Sequence, residues 1–291
     1  MNMLTSQCRP FRTRASLPLA PIIAIAAACA LCQPGQSVAQ SAEKAPFDPA
    51  KAEEGGLGMP SPYDKFLGLA QLSEGSEIDW KSTFNAVAAD VDPDRLEDAA
   101  VSIPLVLGLR IADGVMAIQA RDAEFLGQCA SDIEKLAPKV GVGDAELERA
   151  RRIRTLANEG DWLKVFMELG FLQQDILQTL EGDEQNRGDL VIASGWMQGA
   201  RYTSMVVLDN YSDSSSNILR EPMLVQAMID KLDGQPDEVK QNPSVAAMLE
   251  ALPEIHQIVD VELDAPIAED SVRRLQELAD GYAAGVLESA Y

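Results

Sequence analysis

From residue 63 onward, apolar side chains recur every three or four positions, and charged ones fill the intervening faces. Val165, Leu169, Leu172, Ile176 and Leu180 form one such stripe, and Val272, Leu275, Leu278, Tyr282 and Val286 form another. That spacing buries one face of an α-helix. Alternating runs of β-branched residues bounded by hairpin turns are missing, so the pattern predicts an all-α bundle of about eight to ten helices in antiparallel hairpins. Punctuation agrees with this reading. Asp92-Pro93, Gln235-Pro236 and Asn242-Pro243 place proline at first helical turns, while Gly141, Gly182 and Gly234 follow expected helix ends.

Two segments lack a polar face. Between Ala99 and Ala120 the only charges are Arg110 and Asp113, and between Leu190 and Leu208 the only charge is Arg201. Helices apolar on nearly every side belong at the centre of a bundle or in a membrane. A central charge costs about 2.5 to 3.5 kcal/mol on insertion scales, which favours the bundle centre. A register offset by 85 residues places Leu105-Val106-Leu107 on Leu190-Val191-Ile192, Gly114 on Gly199 and Asp113 on Gln198. An internal duplication of a helical hairpin would give this similarity, as would chance between two buried helices.

The second of these helices contains "SGWMQGARYTSMVVL", in which Gly195 and Gly199 share a face and predict a close helix crossing. Nothing acidic lies three or four residues from Arg201, so its partner must come from another helix, and Asp113 is the expected one. Arg110 and Asp113 stand at i and i+3 and can pair with each other. The set Arg110, Asp113 and Arg201 is therefore either an internal ion-pair network that fixes helix register or the base of a site for an anionic group.

The N-terminus follows a different logic. Arg9, Arg12 and Arg14 precede the apolar run "LPLAPIIAIAAACALC", and Ser37 and Ala39 fit the small-residue rule before a cut. Residues 1–39 thus read as a secretory signal peptide. The run of about 16 residues is short for a membrane span. Ala26-Ala27-Ala28-Cys29 suggests lipoprotein anchoring at Cys29 as the alternative, although the usual large aliphatic residue at the head of that motif is missing. Residues 40–62, rich in Ala, Pro, Gly and charge, read as a flexible linker, leaving 63–291 as one helical domain.

Cleavage after Ala39 leaves Cys129 as the only cysteine and excludes an intramolecular disulfide. It also leaves 21 basic against 46 acidic residues, a net charge of −25. Such a chain repels phosphate backbones, so nucleic acid is not an expected partner.

Signatures of catalysis and metal binding fail residue by residue. The single histidine, His256, stands two positions from Glu254, which breaks the spacing of zinc pairs and of di-iron bundles. Asp90, Asp92 and Asp94 begin like a calcium loop, but Pro93 intrudes and Arg95 and Val101 replace the required glycine and glutamate. Helix capping explains those aspartates, and "DNYSDSSSN" at 209–217 reads as a connection between helices. Ser41 and Lys44 match a Ser-x-x-Lys pattern inside the linker, which cannot hold them rigidly. "CALC" at 29–32 lacks the histidine of a haem site, and Cys129 reads as a small buried residue. No cofactor and no metal are expected.

The layout from "LGLRIADGVMAIQARD" through "SGWMQGARYTSM" resembles a group of secreted bacterial all-helical proteins that carry a glycine-tryptophan helix in the same order, over residues 95–235. The resemblance implies secretion and helices and brings no activity with it. The expected function is a non-catalytic exported module, periplasmic or secreted, that binds a protein or envelope component. The alternative is a ligand receptor or hydrolase built around Arg110, Asp113 and Arg201. A solvent-filled pocket at Arg201 would favour the alternative, and a filled interior would favour the module.

Overall fold

The computed structural model describes residues 78–180, 186–262 and 265–291. The expected signal peptide (1–39) and linker (40–62), with Cys29 and the Ser41/Lys44 pair, lie outside the described residues, as does Gly182. The described residues lie within one compact unit. Its described residues are all-α, with no strand.

Short polar side chains start several of the helices. Asp79 caps α1 (Trp80–Val87) by accepting from the Ser82 N–H at 3.1 Å. Asp92 caps the 3₁₀ turn Pro93–Arg95. Asp98 accepts from the amides of Ala100, Val101 and Ser102 at the start of α2 (Ser102–Ala120). Asp122 caps α3 (Ala123–Leu136). A 3₁₀ turn ends at Gly141, whose φ of +94° suits a residue without Cβ, and α4 (Asp144–Glu159) ends at Gly160 in the same left-handed region. α5 (Trp162–Leu180) and α6 (Arg187–Asp209) follow.

The serine-rich connection folds into the single turn α7 (Asp213–Ser216), closed by a reciprocal Ser212–Ser215 capping box. The chain ends with α8 (Pro222–Asp233), the single turn α9 (Asp237–Lys240), α10 (Pro243–Val259) and α11 (Glu269–Ala290). Nine of these helices, among the described residues, have eight residues or more, in line with the helix count read from periodicity.

Ion pairs give the directions of neighbours. Arg149 meets Asp175 while Arg152 meets Glu168, so α4 and α5 are antiparallel. Arg274 meets Glu254 while Ser244 meets Ser289, so α10 and α11 are too. The central pair differs. Ser194 Oγ donates to the Leu105 carbonyl at 2.6 Å and Tyr202 Oη donates to Asp113 Oδ1 at 2.9 Å, so equal advances on α2 and α6 match and the two run parallel. One contact of this interface falls at the offset of 85 residues noted in the sequence: Gln198 Nε2 donates to Asp113 Oδ1 at 2.7 Å.

Both apolar helices sit inside the unit as expected. In α2 every residue from Ser102 to Ile118 is buried. It is the one helix among the described residues long and apolar enough to cross a membrane, and 89% of that stretch is buried inside the fold. In α6, Trp196 and Tyr202 are the largest fully buried side chains. The stripe of α5 from Val165 to Leu180 faces the same core.

The crossing is close at Gly195, as expected, and the residue that faces it on α2 is Gly108. A Cβ on Gly108 of α2 would stand 2.4 Å from the Val191 carbonyl oxygen and 2.9 Å from the Gly195 amide nitrogen. Gly108 must therefore lack a side chain where α2 meets α6 at Gly195.

Candidate functional site

The polar residues of α2 and α6 converge on one carboxylate. Asp113 is fully buried, and both its oxygens are occupied. Oδ1 accepts from Gln198 Nε2 (2.7 Å) and Tyr202 Oη (2.9 Å), and Oδ2 accepts from Arg110 Nη1 (3.1 Å) and the Ala89 N–H (3.1 Å). Burial pushes the Asp113 carboxyl above the usual carboxylate range, while Arg110, Gln198, the Ala89 amide and Tyr202 all hold it down. Burial and then the charge of Asp113 raise the Tyr202 phenol well above its ordinary value, which keeps it a donor.

Arg110 reaches outward from the same point. Nη1 also donates to the Ala89 carbonyl at 3.0 Å, Nε donates to Asp132 Oδ2 of α3 at 2.8 Å, and Nη2 donates to the same oxygen. The guanidinium lies 5.3 Å from the centre of the Phe125 ring. A buried guanidinium with two carboxylates, a carbonyl and an aromatic face is compensated on every side.

The structure corrects the partner expected for Arg201. Its Nε donates to Asp280 Oδ1 of α11 at 2.7 Å, and its Nη1 donates to the Val87 carbonyl at 3.0 Å and to Gln198 Oε1 at 2.8 Å. It does not touch Asp113, because nearer donors already occupy both carboxylate oxygens. Gln198 stands between them, and its amide, acceptor at one end and donor at the other, passes the contact along. The chain of contacts runs from Asp113, with no exposure, through Arg201, whose side chain is 14% exposed, to Asp280, 46% exposed.

The three candidates thus belong to one network whose other members are Gln198, Tyr202, Asp132, Asp280 and the main chain at 87 and 89. Gln198 and Tyr202 share a face of α6 at i and i+4; the register that set Asp113 on Gln198 pointed to Gln198, and nothing in the sequence singled out Tyr202. Asp132 and Asp280 lie on amphipathic helices, where each resembles any solvated carboxylate.

Chemically, the network pairs its charges with one another. Cys129 packs beside Gly114, fully buried, and burial pushes its thiol well up. His256 is half-buried on α10. No group of three or more His, Cys, Asp or Glu side chains that could hold a metal occurs among the described residues. An open groove of about 400 Å³ lies between α10 and α11, lined by Glu254, Ile258, Ile267, Ser271 and Arg274 among others, and shares no residue with the network.

What the fold and this site define is an all-α bundle with an internally satisfied ionic core. Comparisons with models of protein families, with curated proteins and with solved structures give no match.

Proposed function

We propose that the chain is a non-catalytic exported helical module that binds a protein or another envelope component. The observation that carries this reading is on α5, where Leu163, Met167 and Phe171 are 47%, 51% and 49% exposed. Their i, i+4, i+8 spacing puts them on one helical face, directed away from the buried stripe of Val165, Leu169 and Leu172. Single exposed apolar residues are ordinary, but three in register on one helix form the ridge that a partner helix or groove covers. Export rests on the N-terminal pattern, and the acidic balance disfavours nucleic acid.

The receptor or hydrolase reading has less support, since Arg110, Asp113 and Gln198 direct their polar atoms at one another rather than at a cavity. A photo-crosslinker placed at Met167 is expected to trap a discrete envelope protein in cells, while one at exposed Arg273 on α11 traps none. No adduct at Met167, or the same adducts at both positions, would overturn the proposal.

A further inference from the structure

We propose that α1 and the extended residues after it, 80–89, form a lid that detaches from the central helix pair while the rest of the bundle stays folded. An eight-residue helix is not stable by itself, so α1 exists only where it is docked. Its apolar docking rests on few side chains: Phe84 and Val87 are buried, as is Ala89 after the helix, Trp80 is half-buried against the core, and Phe84 is set edge-on against Phe125, ring centres 4.1 Å apart.

The remainder of the docking is polar and falls on the main chain. The Val87 carbonyl accepts from Gln198 Nε2 at 3.1 Å and Arg201 Nη1 at 3.0 Å; the Ala89 carbonyl accepts from Arg110 Nη1 and its amide donates to Asp113 Oδ2. Two guanidinium groups therefore meet the negative end of α1 and satisfy carbonyls that no helical turn supplies with donors.

The decisive feature is what remains when the lid leaves. Arg110 retains Asp113 and Asp132, Arg201 retains Asp280 and Gln198, and Asp113 retains Gln198 and Tyr202. No charge is stranded by losing residues 80–89. Separating α2 from α6, in contrast, strips Asp113 of two of its donors inside the core. The clamp is thus asymmetric, and release of residues 80–89 leaves the ion pairs of Arg110, Asp113 and Arg201 intact.

Native-state amide exchange on the full chain tests this. In the wild type, amides of 82–87 are expected to exchange at least tenfold faster than those at the centres of α2 and α6; exchange at a common rate would overturn the lid. Asp113→Asn is expected to speed exchange at 82–89 at least tenfold more than it speeds exchange in α4 and α5. Arg201→Met, at the rim of the network, is expected to act in the same direction and serves if Asp113→Asn does not fold. Equal loss of protection throughout the bundle, or none at 82–89, would contradict the proposal.

Discussion

At the scale of single residues, the demand for glycine at 108 is set by backbone and not by side chains. A Cβ there meets a carbonyl oxygen and an amide nitrogen of α6, and neither can rotate away. Gly108→Ala is therefore expected to destabilise the protein by about 1 to 3 kcal/mol in urea denaturation, by forcing α2 and α6 apart. Gly281 in the interior of α11 is the counter-example: nothing lies within 4 Å of its Cβ position, and Gly281→Ala is expected to stabilise by about 0.5 to 1 kcal/mol. The sequence shows both glycines inside helical patterns and does not tell them apart, because the difference lies in which neighbour crosses. Arg121 poses a similar difficulty: it closes α2 at φ +51°, a place where composition suggests no break.

At the scale of elements, periodicity was enough to locate the buried faces. The stripes of α5 and α11 and the two helices without a polar face are where spacing put them. Faces do not reveal partners, however. Arg110 and Asp113 were legible as a pair because they share a helix, whereas the Arg201–Asp280 pair joins α6 to a carboxylate on the polar side of α11. A double-mutant cycle separates these cases. Arg201→Met with Asp280→Ala is expected to show a coupling of about 0.2 to 1 kcal/mol, the range for a pair with one end in solvent. Asp113→Leu alone is expected to cost about 3 to 5 kcal/mol, since it leaves Arg110 with a single carboxylate and robs three further donors of their acceptor. The cycle between Arg201 and Asp113 should show a smaller coupling than direct contact would give, because Gln198 intervenes.

At the scale of the whole molecule, the parallel central pair was the part of the architecture hardest to read. Amphipathic spacing is blind to direction, and a parallel contact between α2 and α6 requires the chain to turn back repeatedly between them. The weak similarity at an offset of 85 residues aligns Asp113 with Gln198, which are hydrogen-bonded across the interface, but likeness between two helices carries no direction of contact. The Arg110–Asp113–Gln198–Arg201 layer is filled by the chain's own groups and serves as an internal clamp. Guanidinium NMR on the unliganded protein at neutral pH tests it most directly. The Nε–H protons of Arg110 and Arg201, each bonded to a carboxylate, are expected to exchange with water far more slowly than that of Arg273, which is 55% exposed. Exchange of Arg110 and Arg201 as fast as that of Arg273 would show an open, hydrated site and contradict the account.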